Sequence, residues 1–288
     1  MKKIPLIIRK SINYAFVIVT GINTIVGLWG YTVRDISDKL QWWQCGIIML
    51  VAFAILSTIM FVILSIQKHK TYDTTINGVP VKIKVGDIFD EKGLKVIPFN
   101  ERFDTEVDDI IIAHNSLNGK MIDNYVKDIE NLKLKIKLAQ TDNSPFKSTK
   151  KSGKVVFPLG RIIAYENFLL LAFSHFNEKN EAYIGIGEYE KLLICMWSEI
   201  RRTYAARPIV IPLLGGGLTT IEGIQEKNYT EFLKCILCTF RNSKFQPQEG
   251  ITIILTQDVI ENIDMNLIKE EFWYVIISNK NIYSSWFW

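Results

Sequence analysis

Four cysteines and three histidines in 288 residues are too few and too scattered to organise this chain. Cys45 falls in an apolar run and Cys195 in a helical pattern, while Cys235 and Cys238 form an isolated Cys-x-x-Cys without a second pair or a nearby His. That excludes a disulfide framework and suits a reducing compartment. His69, His114 and His175 show no metal-ligand spacing, so no metal is expected. The chain's Gly-bearing loops lack both the Walker spacing with its Lys-Ser or Lys-Thr and the dinucleotide Gly-x-Gly-x-x-Gly. Charge, finally, is missing altogether from two stretches, Ser11 to Val33 and Leu40 to Gln67.

Each uncharged stretch is long enough to span a bilayer as a helix, since about twenty apolar residues rising roughly 1.5 Å each cross a hydrocarbon core of about 30 Å. The expectation is a two-helix transmembrane hairpin, with spans at about 12–31 and 43–66. Asn13 and Asn23 in the first span suit a helix-to-helix contact or a polar path. A cleaved signal peptide is disfavoured, because no small-residue cleavage signature follows the first stretch and the second would still hold the chain. Lys2, Lys3, Arg9 and Lys10 precede the hairpin and Lys68 and Lys70 follow it, whereas Arg34 and Lys39 in the connector are offset by Asp35 and Asp38. Both termini are therefore expected on the cytoplasmic side, with Trp29, Trp42 and Trp43 at the opposite interface.

Residues 1–70 hold eight Lys or Arg and two Asp or Glu, and the whole chain is only +4. The basic excess thus sits at the membrane border, where it favours anionic lipid, and the acidic remainder gives no electrostatic argument for nucleic acid. Residues 71–288 are enough for one sizeable domain.

That domain alternates strand and helix. Strands are predicted at Thr74–Ile76 and Val79–Val85 around an Asn77-Gly78 turn, at Leu94–Pro98, and centrally at Val155–Pro158 and Arg161–Phe173. Further strands are expected at Pro208–Leu214 and Gly250–Thr256. Helices are predicted at Lys120–Leu138, Gly187–Tyr204, Lys227–Asn242 and Ile263–Phe272, with a polar, basic loop at Asn143–Gly153. The pattern implies a three-layer α/β/α domain on a mixed, partly parallel sheet, where ligands collect beyond the carboxyl ends of strands.

Two loops suit that position. Gly86-Asp87-Ile88-Phe89 offers close backbone approach and a carboxylate able to accept from an exocyclic amine such as that of adenine. Pro212 to Thr219, with Leu214, Gly215, Gly216, Gly217 and Leu218 between them, exposes backbone N–H groups able to wrap a diphosphate.

In this order and separation, the two loops resemble the macro-domain family over most of residues 80–260. The family's Gly-Asp-Ile loop, whose Asp meets adenine, matches Gly86-Asp87-Ile88; its Gly-rich diphosphate loop matches Pro212 to Thr219; and its distal-ribose Asn matches Asn100 in Val96-Ile97-Pro98-Phe99-Asn100-Glu101. Where hydrolytic members carry glycines after that Asn, this chain has Glu101-Arg102-Phe103-Asp104-Thr105-Glu106. The resemblance thus implies a reshaped pocket lined by Pro98, Asn100, Glu101, Phe103, Asp104 and Thr105, and a binding domain rather than an enzyme. Lys95 to Thr105, Asn115-Ser116-Leu117-Asn118-Gly119 and the triple-glycine loop, behind two spanning helices, are similar to the membrane effector of type II Thoeris anti-phage systems.

That resemblance implies a protein of the bacterial inner membrane with a cytosolic sensing domain and a homo-oligomeric active form. Its ligand would be an ADP-ribose derivative, histidine-ADP-ribose, made from NAD by a TIR-domain partner; binding would trigger membrane damage and host cell death. The competing reading is a membrane-tethered ADP-ribosylhydrolase using Asn100 with Asp104 or Glu101. Glu166, Asn167, His175 and Glu188 are further pocket candidates that nothing in the sequence places there, and Trp286-Phe287-Trp288 could meet the membrane, a neighbouring subunit or its own domain.

Overall fold

The computed structural model describes residues 6–28, 41–67, 71–142, 144–151, 153–177 and 179–272. The basic residues Lys2, Lys3, Lys68 and Lys70, the connector 29–40 with Trp29, and Trp286 to Trp288 lie outside them. The chain divides into two compact units, Met1–Lys70 and Thr71–Trp288.

In the first unit two helices, α1 (Leu6–Leu28) and α2 (Trp42–Gln67), pack against each other. Ser11 and Ala15, one turn apart, are buried, as small residues are where helices approach closely. Hydroxyls turn back onto their own helix: Thr20 donates to Phe16 O at 2.9 Å, Thr24 to Thr20 O at 2.9 Å and Thr58 to Ala54 O at 2.8 Å. The outer faces are apolar and bare, with Phe16, Val17, Ile22, Ile48, Leu50 and Ile55 all exposed. Asn13 is exposed too, not on the buried stripe, and the side chain of Asn23 lies outside the description. Among the described residues no helix is long and apolar enough to cross a membrane, so the transmembrane hairpin is not established by the structure. In sequence, α2 remains 26 residues without a charge.

The second unit is built on a nine-stranded mixed sheet. Its strands are β1 (Tyr72–Ile76), β2 (Val79–Val85), β3 (Leu94–Asn100), β6 (Ile162–Tyr165), β7 (Phe168–Phe176), β8 (Ala182–Gly185), β9 (Ile209–Pro212), β10 (Thr220–Glu222) and β11 (Ile251–Leu255). They run in the order β1-β2-β11-β9-β3-β7-β8-β10, with β6 on β7. From β2 to β7 neighbouring strands are parallel; β1 pairs antiparallel with β2, and β6 and β8 with β7. The first hairpin closes as read from the sequence, with Asn77 (φ 52°) and Gly78 (φ 82°) both left-handed as a type I′ turn requires.

Period-two alternation divides the central strands between two cores. Val96, Leu169, Leu171, Ile211 and Ile253 face one side, under α5 (Ile186–Thr203), α6 (Tyr229–Ser243) and α8 (Met265–Phe272). Ile97, Phe99, Leu170, Ala172 and Val210 face the other, under α3 (Leu117–Tyr125) and α4 (Ile129–Leu138). A short helix α7 (Gln257–Ile260) follows β11. The result is the expected three-layer α/β/α arrangement.

Three local expectations need correction. The single helix over Lys120–Leu138 is two, because Val126 is extended and Asp128 caps a fresh start, accepting from Glu130 N at 3.0 Å and Asn131 N at 3.1 Å. The loop Asn143–Gly153 contains β4 (Thr149–Lys151), which turns at Gly153 (φ 78°) into β5 (Lys154–Val156). Val155–Pro158 is consequently not a central strand, since β5 pairs only in that side hairpin.

Candidate functional site

A cavity of about 520 Å³ opens beyond the carboxyl ends of the parallel strands, where an open α/β sheet binds ligands. The loop after β2 enters it with Gly86, Asp87 and Ile88, and the loop after β9 with Pro212 to Thr219. Asn100 ends β3 in its wall, Ser174 and Phe176 come from β7, and Asn115, Ser116, Asn118 and Lys120 from the start of α3.

The first loop is fixed by its neighbours. Gly86 N donates to Leu255 O at 3.1 Å, and Asp87 Oδ1 accepts from Phe89 N at 3.0 Å to cap the 3-10 turn Ile88–Asp90. The second carboxylate oxygen of Asp87 makes no hydrogen bond among the described residues, and a Cβ built on Gly86 would meet nothing within 4 Å. Both therefore leave room and acceptor capacity for a ligand.

The glycine loop is held from two sides. Tyr189 on α5 donates its hydroxyl to Leu214 O at 2.8 Å, and Lys227, whose pKa burial pushes down, donates Nζ to Gly217 O. Gly215 sits at φ +85°, where a Cβ would also come within 3.1 Å of Ile221 Cδ1. Gly216 N donates to Leu213 O at 3.2 Å; Gly217 N donates to no described residue and a Cβ there would meet nothing within 4 Å, which leaves that N–H accessible to an anion.

Of the residues named from sequence, Gly86, Asp87, Ile88, Pro98, Asn100, Leu214, Gly215, Gly216, Gly217, Leu218 and Thr219 line this cavity. Phe89, Glu101, Phe103, Asp104 and Thr105 do not. Phe89 turns away to stack on Tyr125 at 4.8 Å, with Phe168 edge-on at 6.3 Å. Phe103 (φ 52°) drops into the second core, 5.2 Å from the Phe157 ring. The cause is Asn100, whose Oδ1 accepts from Arg102 N at 3.0 Å and Asp104 N at 3.2 Å while its Nδ2 donates to Asp104 Oδ2 at 2.9 Å. Those bonds fold residues 101–104 back; Asn100 itself stays in the cavity wall with its second Nδ2 hydrogen uncommitted.

Glu101 is 6 % exposed and faces His175, whose Nδ1 lies 2.6 Å from Glu101 Oε2. Glu188 Oε1 approaches the other ring nitrogen at 3.4 Å. The hydrogen bond to Glu101, working against burial, raises the imidazole pKa, and both carboxylate charges add to the effect. Neither His175 nor Glu188 lines the cavity, and the same holds for Glu166 and Asn167. Because the folded pKa lies above the unfolded value of about 6.5, this interaction stabilises the fold fully below that value and is lost as pH rises through the folded one. Unfolding midpoints between about pH 6 and 8 are expected to fall as pH rises, and His175→Gln to shrink that slope. His114, raised by its hydrogen bond to Asp123, keeps part of it; an unchanged slope in the variant would contradict the assignment.

Sequence reasoning missed Ser174 and Phe176 as lining residues. One signal was available: Ser174 interrupts the apolar run Phe168–Phe173 of a central strand. The start of α3, capped by Ser116 Oγ accepting from Gly119 N at 3.1 Å, could have been read from Ser116 ahead of a helical pattern. Asp87 and Lys120 are the charged side chains of the lining, and Lys120 has no carboxylate partner among the described residues. No group of side chains able to hold a metal occurs among the described residues.

Residues 81–256 match the family model for the macro domain of Thoeris protein ThsA. Thoeris protein ThsA of Bacillus amyloliquefaciens (strain Y2) is 32% identical over 277 residues, covering 91% of this chain and 88% of that protein. Solved structures similar to it include an Oceanobacillus iheyensis macrodomain variant, at TM-score 0.45 and 13% identity, covering 70% of this chain and 100% of that one. The Oceanobacillus iheyensis macrodomain with ADP is another, at TM-score 0.44 and 14% identity, covering 70% and 98%.

Proposed function

Because the chain belongs to the Thoeris protein ThsA family, we propose that its macro domain is the sensor of an anti-phage effector and that it binds an ADP-ribose derivative. The observation that carries this reading is that the two Gly-bearing loops, Gly86-Asp87 and Leu214–Thr219, line one cavity. Asp87 keeps one carboxylate oxygen for the adenine amine, and the N–H groups of Gly217 and Leu218, which donate to no described residue, suit a diphosphate. Lys120 adds a cation for a ligand of that charge. Histidine-ADP-ribose, made by a TIR-domain enzyme that consumes NAD, is the ligand this reading names.

A sensor is preferred to a hydrolase because the carboxylates offered as general bases are occupied elsewhere. Glu101 is paired with His175, Asp104 with Asn100, and neither lines the cavity. A base must lie within hydrogen-bond reach of the proton it takes.

The first unit is the effector end. Its outward apolar side chains, Phe16, Val17, Leu50 and Ile55 among them, form a surface that water does not favour, and the uncharged length of α2 suits a bilayer. Ligand binding shifts the protein toward an oligomer that damages the inner membrane, leaving both termini and the sensing domain cytoplasmic. Co-expression with an active NAD-consuming TIR-domain enzyme tests this. Membrane depolarisation and growth arrest are expected only with both proteins, and the chain in the membrane fraction. Toxicity independent of the enzyme, or a chain found wholly in the soluble fraction, would overturn the reading.

A further inference from the structure

Residues 71–288 are close to neutral as a whole, and that balance hides a strong asymmetry. Residues 127–154 hold eight Lys against three Asp or Glu, whereas residues 71–126 and 155–288 together hold 18 Lys or Arg against 25 Asp or Glu. The basic segment is α4 followed by the β4–β5 side hairpin. Ser148 Oγ donates to Gln140 O at 3.4 Å, so the start of the hairpin lies at the carboxyl end of the helix. An otherwise acidic domain thus presents a concentrated cationic surface.

On that surface α4 is apolar on two sides. Leu132 and Ile136 are buried in the second core, while Leu134 and Leu138, one turn apart on the opposite side, are 53 % and 54 % exposed. At about 3.6 residues per turn, Lys133 and Lys137 flank this outer stripe on one side and Lys135 on the other. Lys133 is paired with Glu130 at 2.8 Å, and Lys147 Nζ donates to Asp142 O at 2.7 Å. Lys135, Lys137, Lys150, Lys151 and Lys154 make no hydrogen bond or ion pair among the described residues. In the hairpin Lys151 lies directly opposite Lys154, a destabilising like-charge pair in a two-stranded unit that is marginal by itself. The helix dipole accounts for Lys135 and Lys137 in the last turn of α4. It accounts neither for the two bare leucines beside them nor for the facing lysines of the hairpin.

We infer that α4 and the β4–β5 hairpin form a docking surface for an anionic lipid bilayer, with Leu134 and Leu138 entering the headgroup region and the lysines meeting lipid phosphates. Leucines set among lysines on an outward helix face are the pattern of membrane-surface helices. Each lysine beside an anionic leaflet adds roughly fivefold to the affinity. A nucleic acid would match the lysines but leave the two leucines without a use. The inference rests on the membrane reading only in that the domain must meet a bilayer; the contact is peripheral and needs no spanning helix.

Lysine acetylation of the full chain, read residue by residue by mass spectrometry with vesicle flotation alongside, tests it. The vesicles are phosphatidylcholine alone, or phosphatidylcholine and phosphatidylglycerol in equal amounts. Lys135, Lys137, Lys150, Lys151 and Lys154 are expected to react at least about fivefold more slowly with the mixed vesicles and to recover in high salt, while the exposed Lys82 and Lys244 keep one rate throughout. Lys150→Glu combined with Lys151→Glu, both at exposed positions, should abolish the protection of Lys135 and Lys137 without lowering the unfolding midpoint. Equal rates at these lysines in both vesicle types, with the chain floating in both, overturn the docking surface and leave the membrane reading standing. A chain that floats with neither overturns both. Protection by a DNA duplex instead of by the mixed vesicles assigns the patch to nucleic acid and likewise overturns the inference.

Discussion

Replacing Asp87 by Ala should weaken binding of ADP-ribose derivatives roughly 10- to 150-fold, the range for a hydrogen bond to a charged group of about 1.5–3 kcal/mol. The substitution also removes the cap that Asp87 Oδ1 provides to Phe89 N, worth about 1 kcal/mol, so it confounds recognition with local stability. Asp87→Asn separates the two. The amide oxygen can still cap the turn, but the side chain then turns an NH₂ group toward the ligand, donor against donor. Titration calorimetry of the Asn variant should therefore show the same loss of affinity with an unchanged unfolding midpoint. Affinity retained in the Asn variant would remove Asp87 from adenine recognition.

The largest effect on stability is expected at Glu199. Arg161 and Glu199 are each 1 % exposed. Arg161 Nη1 donates to Glu199 Oε2 and, at 2.9 Å, to Ile162 O, and its Nη2 to Asp142 Oδ2. Arg202 Nε donates to Glu199 Oε1 at 2.9 Å, and Ser144 Oγ reaches the same oxygen at 3.3 Å. Burial alone would raise the Glu199 pKa, but hydrogen bonds from Arg202 and Arg161 outweigh it and hold the carboxyl below its usual value. The network ties the loop before β4 to α5 and the entry of β6.

Glu199→Ala would leave the buried guanidinium of Arg161 with Asp142 as its remaining carboxylate partner, and breaking a buried pair by removing one partner costs up to about 3–5 kcal/mol. Against a total of about 5–15 kcal/mol, that is a large share of the domain's stability. Denaturant titration should show a correspondingly lower midpoint. Because the folded pKa is depressed, the carboxylate's contribution is present above its unfolded value and is lost as pH falls through the folded one; the variant and the parent should converge in acid. A loss below about 1 kcal/mol, the scale of an exposed pair, would show the network to be dispensable.

Features that depend on a few consecutive residues were legible in the sequence. Asn77-Gly78 demands left-handed backbone wherever it lies, and strand ends followed by Gly86-Asp87 or Gly215-Gly216-Gly217 could be placed at one edge of a sheet from alternation alone. The break between α3 and α4 was harder to see, since charge and apolar spacing run through it and only the Asp128 cap decides. Phe103, Asp104 and Thr105 were assigned to the pocket by position along the chain. Their actual place follows from three hydrogen bonds of one amide, Asn100, that no spacing reveals. Arg161, Glu199 and Asp142 are 38 and 19 residues apart, so their meeting is a product of the fold. Ser174 was hidden because a serine inside an apolar strand reads equally well as a tolerated core residue.

The central claim is that one cavity between the two glycine-bearing loops accepts an adenine nucleotide. Titrating the unsubstituted full chain with ADP-ribose and histidine-ADP-ribose tests it most directly. The account predicts one saturable site per chain, weakened by substitution at Asp87; heat signals absent for both compounds, or binding indifferent to Asp87, would contradict it.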